Sequence, residues 1–425
     1  MSQPDTSHNS DDYPSLEDSV AGGSCVDAFL SASGVVSTCF SRGAQCMREE
    51  DWAGAEAQFR NGLVEDPLRR HALVSVALVN LGFCLGKLGD HADAYKVYQQ
   101  AIEVDAESEA AHSGLARACI NLKRYQEALQ AAERASLMNP RNAHTHFSIG
   151  NVKMRLSDMQ GAVESYRRAI RIRPQLLGAW LNLGAACEAM GDVTGAIAAF
   201  EGALEANPDY GKAWMNLGLL HGRHGRHDAS VEAFTRAAAL SSGSGRIYVL
   251  LGLSQRCAGN EPAAVESFKA AIATGGHVDK AWHNIGLIHE DAGRHEEAMH
   301  AFQSALAIQP DYAKVHLSMG RVLCAAGRSD EAIEAIQRAA GLRPDLVDAY
   351  VELGRIHAER GEHVKAIGAY GRASELAPAN DDIHLRMIRV HLAAGQRDAA
   401  LAEFKYLQDT GSPLVEEIQP DIDAS

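Results

Sequence analysis

The sequence predicts an all-α protein of the α-solenoid class, in which about eleven helix–turn–helix units stack along the chain. The main observation is a spacing. Trp180, Trp214 and Trp282 stand one or two 34-residue periods apart, and Leu-Gly or Ile-Gly follows each of them three and four residues later. Small residues and prolines recur with the same period, and no segment is rich in strand-forming residues. Self-similarity at such a period indicates a stack of helical repeats.

A 34-residue frame places the units in order. A degenerate first unit covers residues 36–69, and a short insertion at 70–74 separates it from the second. The other units begin near residues 75, 109, 143, 177, 211, 245, 279, 313, 347 and 381, and the array ends at 414. Residues 1–35 are predicted to be a disordered acidic tail, because they have few large apolar groups to bury. Residues 415–425 are predicted to be a cap or tail, with a partial helix that Pro420 ends.

Each recurring position has a physical reason. The first helix of a unit carries a Gly, such as Gly286, where we expect the second helix to cross so closely that the backbones approach. A small residue such as Ala298 faces it from the second helix, and Gly293 between the helices suits a left-handed helix end. An aromatic residue such as Phe302 is expected to be buried, and a Pro such as Pro310 then stops the second helix.

This arrangement resembles the tetratricopeptide repeat family over residues 36–414. The resemblance implies antiparallel helix pairs in a right-handed superhelix with a concave face lined by the first helices. It also implies a role in binding other proteins. The Trp-x-Asn-Leu-Gly units resemble, in addition, the repeat array attached to O-linked N-acetylglucosamine transferase, and no catalytic domain of that kind is expected here.

Composition and charge exclude several classes of function. The formal net charge is −15, and it is concentrated in the two tails, so the array itself is nearly neutral. This balance argues against a nucleic-acid partner, which would require a basic surface. The eight Cys include no Cys-x-x-Cys pair and fit buried reduced thiols in the cytoplasm, with a ciliary or nuclear complex as an alternative. The most apolar stretch, residues 72–85, is too short to span a bilayer, and we expect no secretory signal because residues 1–35 lack a charged segment followed by an apolar one.

Neither a catalytic site nor a cofactor is expected. The sequence contains no Gly-rich phosphate loop after a strand and no Gly-x-Ser-x-Gly motif. The densest histidine group, His221, His224 and His227, lacks a Cys or acid that would complete a tetrahedral metal site. Most other histidines stand at repeat positions, and four of them replace the first-helix aromatic: His112, His146, His316 and His384. We therefore predict a protein that is not an enzyme and that binds neither a metal nor a cofactor.

An asparagine precedes the Leu-Gly or Ile-Gly pair in four units: Asn80, Asn182, Asn216 and Asn284. This position resembles the asparagine ladder with which family members hold a peptide backbone, a task that suits an amide because it both donates and accepts hydrogen bonds. Other units place Ser, Leu, Glu or Arg there, so a solvated repeat position is the alternative. The carboxylate clamp of chaperone-binding members is not expected, because Phe147 stands where its Lys belongs.

Two basic stripes accompany the asparagines. Four residues before the Asn position, consecutive units carry Lys212, Arg246, Lys280 and Lys314. Three residues after it, the last three units carry Arg321, Arg355 and Arg389. One helix turn separates Lys280 from Asn284, so both lie on one helix face. If that face is concave, it forms a basic groove for an acidic partner, and plain solubilising charge is the other interpretation.

The sequence thus predicts a non-enzymatic scaffold or adaptor that binds an acidic extended or helical segment of a partner protein in the groove. Two alternatives stay open: a subunit of a large assembly of the ciliary transport or cell-cycle type, and a regulatory or targeting module of a sugar-transfer system. The first would give a very large complex in native extract, and the second would show glycosyltransferase activity.

Overall fold

The computed structural model describes residues 35–65, 73–241 and 244–424, which form 23 α-helices and no strand. The predicted tail up to residue 34 and most of the predicted insertion lie outside the described residues. Eleven helices begin a repeat: α1 (Val35–Arg48), α3 (Val74–Leu88), α5 (Glu109–Asn121), α7 (Ala143–Arg155), α9 (Leu177–Ala189), α11 (Gly211–Arg223), α13 (Gly245–Cys257), α15 (Val278–Asp291), α17 (Ala313–Ala325), α19 (Val347–Glu359) and α21 (Asp381–Ala393).

A second helix follows each of these first helices. They are α2 (Trp52–Val64), α4 (His91–Val104), α6 (Tyr125–Met138), α8 (Met159–Ile172), α10 (Val193–Ala206), α12 (His227–Leu240), α14 (Glu261–Ala273), α16 (His295–Ile308), α18 (Ser329–Leu342), α20 (His363–Leu376) and α22 (Arg397–Asp409). A final helix, α23 (Val415–Ala424), follows the last pair. The prediction of an all-α stack of helix pairs is confirmed.

The chain divides into two compact units, residues 1–216 and 217–425, which we call the N-terminal and C-terminal units. In the N-terminal unit the second helices α2, α4, α6 and α8 each pack between their own first helix and the next one, and the first helices α1, α3, α5, α7 and α9 also touch in series. In the C-terminal unit the same holds for α13, α15, α17 and α19. Within each unit the first helices therefore form one layer and the second helices another.

Local chemistry sets the helix ends. The first helices end in a left-handed residue, which is Gly in most repeats, for example Gly191 with φ +78° and Gly293 with φ +68°. Lys123 and Ser157 adopt the same conformation without being Gly. Asp side chains then begin several second helices, as where Asp192 accepts a hydrogen bond from the Gly195 N–H at 2.8 Å.

Most first-helix glycines make room for a ring and not, as expected, for a second backbone, and Gly320 makes room for the side chain of Ile336. A Cβ on Gly286 would lie 2.3 Å from the Phe302 ring, and one on Gly184 would lie 2.4 Å from the Phe200 ring. Both rings are buried. The repeat therefore keeps Gly because the aromatic residue of the second helix occupies the space of a side chain.

The end of the array corrects one expectation. Helix α23 continues through Pro420 to residue 424 instead of ending there. Pro420 removes one backbone N–H, but Ile418 and Ile422 on either side are 0% and 4% exposed. They pack against Ile388 and Leu407, the two large residues that replace the usual Gly and Ala of this repeat. Burial of this i, i+4 pair holds the helix together across the proline.

Candidate functional site

All eleven predicted binding residues lie on first helices. In the N-terminal unit Asn80 lies on α3, Asn182 on α9, and Lys212 and Asn216 on α11; in the C-terminal unit Arg246 lies on α13, Lys280 and Asn284 on α15, Lys314 and Arg321 on α17, Arg355 on α19, and Arg389 on α21. They do not all present their side chains in the same way. The structure separates them into buried, internally bonded, ion-paired and exposed groups.

Asn80 lies inside the core. Its exposure is 0%, and neither Nδ2 nor Oδ1 has a hydrogen-bond partner. Its neighbours on α3 are apolar and almost fully buried, including Val79, Leu81 and Phe83. Asn80 therefore does not line an exposed surface.

Asn182 belongs to a hydrogen-bond network that the sequence did not reveal. Its Nδ2 donates to Oδ1 of Asn151 at 2.8 Å, and the Tyr166 hydroxyl donates to the same oxygen at 2.8 Å. Asn151 directly follows the repeat Gly150, so its position in the frame was the only available signal. The network links α7, α8 and α9, and it leaves Asn182 with its own Oδ1 and one N–H for a ligand.

Asn284 is held along its own helix. Its Nδ2 donates to the carbonyl oxygen of Lys280, one turn earlier, at 2.8 Å. The side chain is half-buried, as is that of Asn216 at the equivalent position in the N-terminal unit. Like Asn182, Asn284 keeps an oxygen acceptor and one N–H that are not engaged by this bond.

Three cations of the C-terminal unit share one repeat position and are exposed: Arg246, Lys280 and Lys314. Each lies in the first turn of its first helix, on α13, α15 and α17. None of them forms an ion pair with another residue in the described parts of the chain. The helix dipole places positive potential at this end, so a cation here gains nothing from its own helix and instead favours an anionic partner.

The other basic stripe is already paired. Arg321 Nε lies 3.0 Å from Glu352 Oε1, and Arg355 Nε lies 2.9 Å from the second oxygen of the same carboxylate. Arg389 Nη2 lies 2.8 Å from Glu417 on α23. Because Glu352 and Glu417 already pair with them, the three arginines do not form a row of free charges. Glu352 stands at the Asn position of its unit, and this was the available signal.

A titratable carboxyl lies beside this stripe. Glu290, near the end of α15, has one carboxylate oxygen that is buried and has no hydrogen-bond partner. Burial raises its pKa to about 7, with a further increase from Asp291 and Glu352 and a decrease from Arg321. The carboxyl therefore changes its charge near neutral pH.

The histidines at the first-helix aromatic position contact the same backbone carbonyl as the tryptophans do in other repeats. Trp180 Nε1 donates to the Pro174 carbonyl at 2.8 Å, and the Nε2 of His146 lies 2.9 Å from the carbonyl of Pro140. His316 makes the same contact with Pro310. The described residues contain no group of three or more His, Cys, Asp or Glu that could hold a metal ion. Among them, too, no helix combines the length and apolarity needed to cross a membrane.

Several solved structures are similar to the chain. They include a MamA protein at 24% identity, covering 40% of this chain and 92% of that one with a TM-score of 0.37. Yeast Tom70 is 15% identical and covers 90% of this chain and 93% of that one with a TM-score of 0.45. A tetratricopeptide repeat protein from Parabacteroides merdae is 16% identical and covers 58% and 95% with a TM-score of 0.44. No curated protein matches.

Family profiles match most of the array. Two profiles, each described as Tetratricopeptide repeat, match the chain repeatedly. The first matches residues 124–176, 147–209, 181–245 and 249–313. The second matches residues 87–146, 290–355 and 357–409. Together with the regular helix pairs, these matches show that the chain belongs to the tetratricopeptide repeat family, whose arrays are typically non-catalytic protein-interaction scaffolds.

Proposed function

We propose that the chain is a non-enzymatic scaffold that binds an acidic segment of a partner protein along the first helices of the C-terminal unit. Membership of the tetratricopeptide repeat family supports the general function. The proposal of an acidic partner is supported by a row of three exposed, unpaired cations, Arg246, Lys280 and Lys314. We call these three residues the basic row.

The spacing of the basic row fits a partner that runs across several repeats. Each repeat contributes one cation at the same position of its first helix, so an extended or helical segment with regularly placed carboxylates would meet one cation per repeat. Because the three side chains have no partner to lose, binding an acid costs no existing ion pair. Arg321, Arg355 and Arg389 would contribute only by exchanging Glu352, Glu359 or Glu417 for a carboxylate of the partner.

Asparagines complete the proposed contact. Asn284 stands one turn after Lys280 and keeps an oxygen acceptor and one N–H for the backbone of the bound segment. In the N-terminal unit we assign the same role to Asn182 and Asn216, with Lys212 as the accompanying cation. Asn80 is left out of the proposal because it is buried.

The test compares the affinities of two triple variants for a partner recovered by proximity labelling in cells. Fluorescence anisotropy with the recovered partner would measure Kd for wild type and for R246Q/K280Q/K314Q. If each cation contributes about 0.5–1 kcal/mol, the triple variant should bind roughly ten- to hundred-fold more weakly. It should also show a smaller loss of affinity as salt is added.

The matched control removes three exposed cations from the second helices of the same unit: R236Q/K269Q/K405Q on α12, α14 and α22. This variant has the same net charge as the first one. Equal weakening by both variants would show that only net charge matters and would overturn the assignment of the basic row. An Asn182→Ala/Asn216→Ala/Asn284→Ala variant tests the backbone contacts in the same assay, and unchanged affinity would remove them from the proposal.

A further inference from the structure

A cavity of about 350 Å³ opens between α15 and α16 in the C-terminal unit. Its wall includes the indole of Trp282 and the side chains of Ile285 and Ala301, and its rim includes Glu296, Glu297 and His300. The size falls within the range of ordinary ligand pockets. The repeat frame shows why the cavity exists in this repeat.

Trp282 differs from its two counterparts in its hydrogen bonding. Trp180 and Trp214 donate their indole N–H to the carbonyls of Pro174 and Pro208, at 2.8 and 2.9 Å. The turn before α15 has no proline and contains a left-handed His277 with φ +56°, and within the described chain the indole N–H of Trp282 has no acceptor. The ring lies instead edge-to-face with His300, at a centroid distance of 6.2 Å. The indole therefore lines the cavity and does not brace the turn.

The carboxylate of Glu297 at the rim does not pair with the arginine three residues before it, although the equivalent carboxylate does so in other repeats. Arg124 pairs with Glu127 at 2.7 Å, and Arg328 pairs with Glu331 at 2.6 Å. The equivalent Arg294 instead donates its Nε to Nδ1 of His289 at 2.8 Å.

As a result, Glu297 forms no ion pair with a described residue, and neither does its exposed neighbour Glu296. The pKa of His289 is lowered, first by burial and then by Arg294, so this ring adds no positive charge at neutral pH. Two unpaired carboxylates thus stand beside an aromatic wall.

This combination selects a particular kind of side chain. An apolar wall accommodates an aliphatic stem, the face or edge of an indole attracts a cation, and the carboxylates pair with a guanidinium or ammonium group. Arginine satisfies all three requirements, and lysine satisfies them without the planar fork that binds a carboxylate bidentately.

We propose that the cavity formed by Trp282, Ile285, Glu296, Glu297 and His300 is a binding pocket for an arginine or lysine side chain of a partner protein. It is separate from the basic row and binds the opposite charge. The proposal does not depend on an acidic partner, because it rests on the cavity between α15 and α16 alone.

The experiment uses the full chain with its four tryptophans replaced by 5-fluorotryptophan, so that fluorine NMR gives one signal for each. The Trp282 signal is assigned as the one missing from W282F. Blocked tripeptides Gly-Arg-Gly, Gly-Lys-Gly, Gly-citrulline-Gly and Gly-Leu-Gly are then titrated into the protein. The arginine peptide should shift the Trp282 signal saturably with a Kd on the order of 1 mM, as expected for a single side chain.

The control uses the next repeat. Asp330 and Glu331 stand 34 residues after Glu296 and Glu297, but they are paired with Arg360 and Arg328. E296Q/E297Q should weaken the arginine peptide on the order of five-fold, and D330N/E331Q should leave its affinity unchanged. The proposal is overturned if no peptide shifts the Trp282 signal. It is overturned equally if the citrulline or leucine peptide binds as well as the arginine peptide, because the pocket would then recognise apolar groups.

Discussion

At the scale of the residue, the repeat depends on a glycine that accommodates a ring. Gly286 faces Phe302 so closely that a Cβ would lie 2.3 Å from it. Gly341 lies on the exposed side of α18, and a Cβ there would meet no atom within 4 Å. A side chain would therefore clash at position 286 and would fit at position 341, although both glycines lie in helices.

Gly286→Ala should destabilise the protein. Overpacking costs about 1–3 kcal/mol, and the better helix propensity of Ala returns about 1 kcal/mol, so the net loss should be up to about 2 kcal/mol. Gly341→Ala should stabilise by up to about 1 kcal/mol, because only the propensity changes. Urea denaturation followed by circular dichroism would measure both. Equal shifts of the two midpoints would contradict the ring-based explanation.

Two titratable groups on α15, the buried His283 and the half-buried Glu290, respond to pH in opposite directions. His283 is 8% exposed, and burial lowers its pKa to about 4, with smaller decreases from Lys314 and Arg256. The unfolded chain therefore binds more protons than the folded one between about pH 4 and 6.5, so stability rises with pH across that window. Glu290, with its pKa raised to about 7, binds its proton in the folded state, so it makes stability fall as pH rises from about 4.5 to 7.

Single substitutions should separate these two contributions. At pH 5 the lowered pKa of His283 reduces the free energy of unfolding of wild type by roughly 2 kcal/mol. Replacing His283 with Gln removes this reduction, so H283Q should become more stable relative to wild type as pH falls. Replacing Glu290 with Gln should give a variant whose free energy of unfolding increases relative to that of wild type as pH rises towards 7. Chemical denaturation at a series of pH values would measure both differences. If the free energy of unfolding depends on pH in the same way for a variant and for wild type, the replaced group does not contribute to the pH dependence.

At the scale of the element, α23 is held at the end of the array by few contacts. It begins 34 residues after α21 and packs against α21 and α22 at the end of the array, as a further first helix would. Ile418 and Ile422 provide its burial, and Arg389 provides ion pairs that are half-exposed and so contribute little. Pro420 removes a backbone hydrogen bond inside it.

Replacing Pro420 with Ala should therefore strengthen α23. Proline in a helix interior costs about 3 kcal/mol relative to Ala, so amide exchange in residues 415–424 should slow by roughly ten-fold or more. Pro413→Ala is the control, because Pro413 lies in the turn before the helix. Exchange rates measured by mass spectrometry would distinguish the two variants. Faster exchange in P420A would show that the proline favours the helix by restricting the unfolded chain.

At the scale of the whole molecule, neighbouring helix pairs contact each other within each of the two units. Stability in such an array is close to a sum over repeats and their interfaces, so a local change spreads only to its neighbours. The damage caused by Gly286→Ala should accelerate amide exchange in α14–α17 and leave α3–α6 in the N-terminal unit unchanged. Hydrogen exchange of the full chain would test this. Uniform acceleration throughout both units would show global cooperativity instead.

The sequence alone determined the helices and their order. The packing of each repeat involves residues within one 34-residue period. The spacing of Gly286, Ala298 and Phe302 therefore predicts the helix pair in which they pack. Trp180 and His146 could likewise be recognised as one structural position from their place in the frame. Periodic local contacts leave a periodic signal in the sequence, and this signal also identifies the first helices as the layer that carries the candidate binding residues.

Only the tertiary structure decided which of those residues are accessible and unpaired. Arg321 is paired because Glu352 of the next repeat turns towards it, and Asn80 is buried because its helix is covered on all sides by apolar neighbours. Trp282 lines a cavity, and its indole N–H has no acceptor among the described residues, whereas the Pro174 carbonyl accepts the N–H of Trp180. These outcomes depend on side-chain directions between neighbouring repeats, which the 34-residue spacing does not encode, because the same position can turn to its own helix, to the next helix or to solvent.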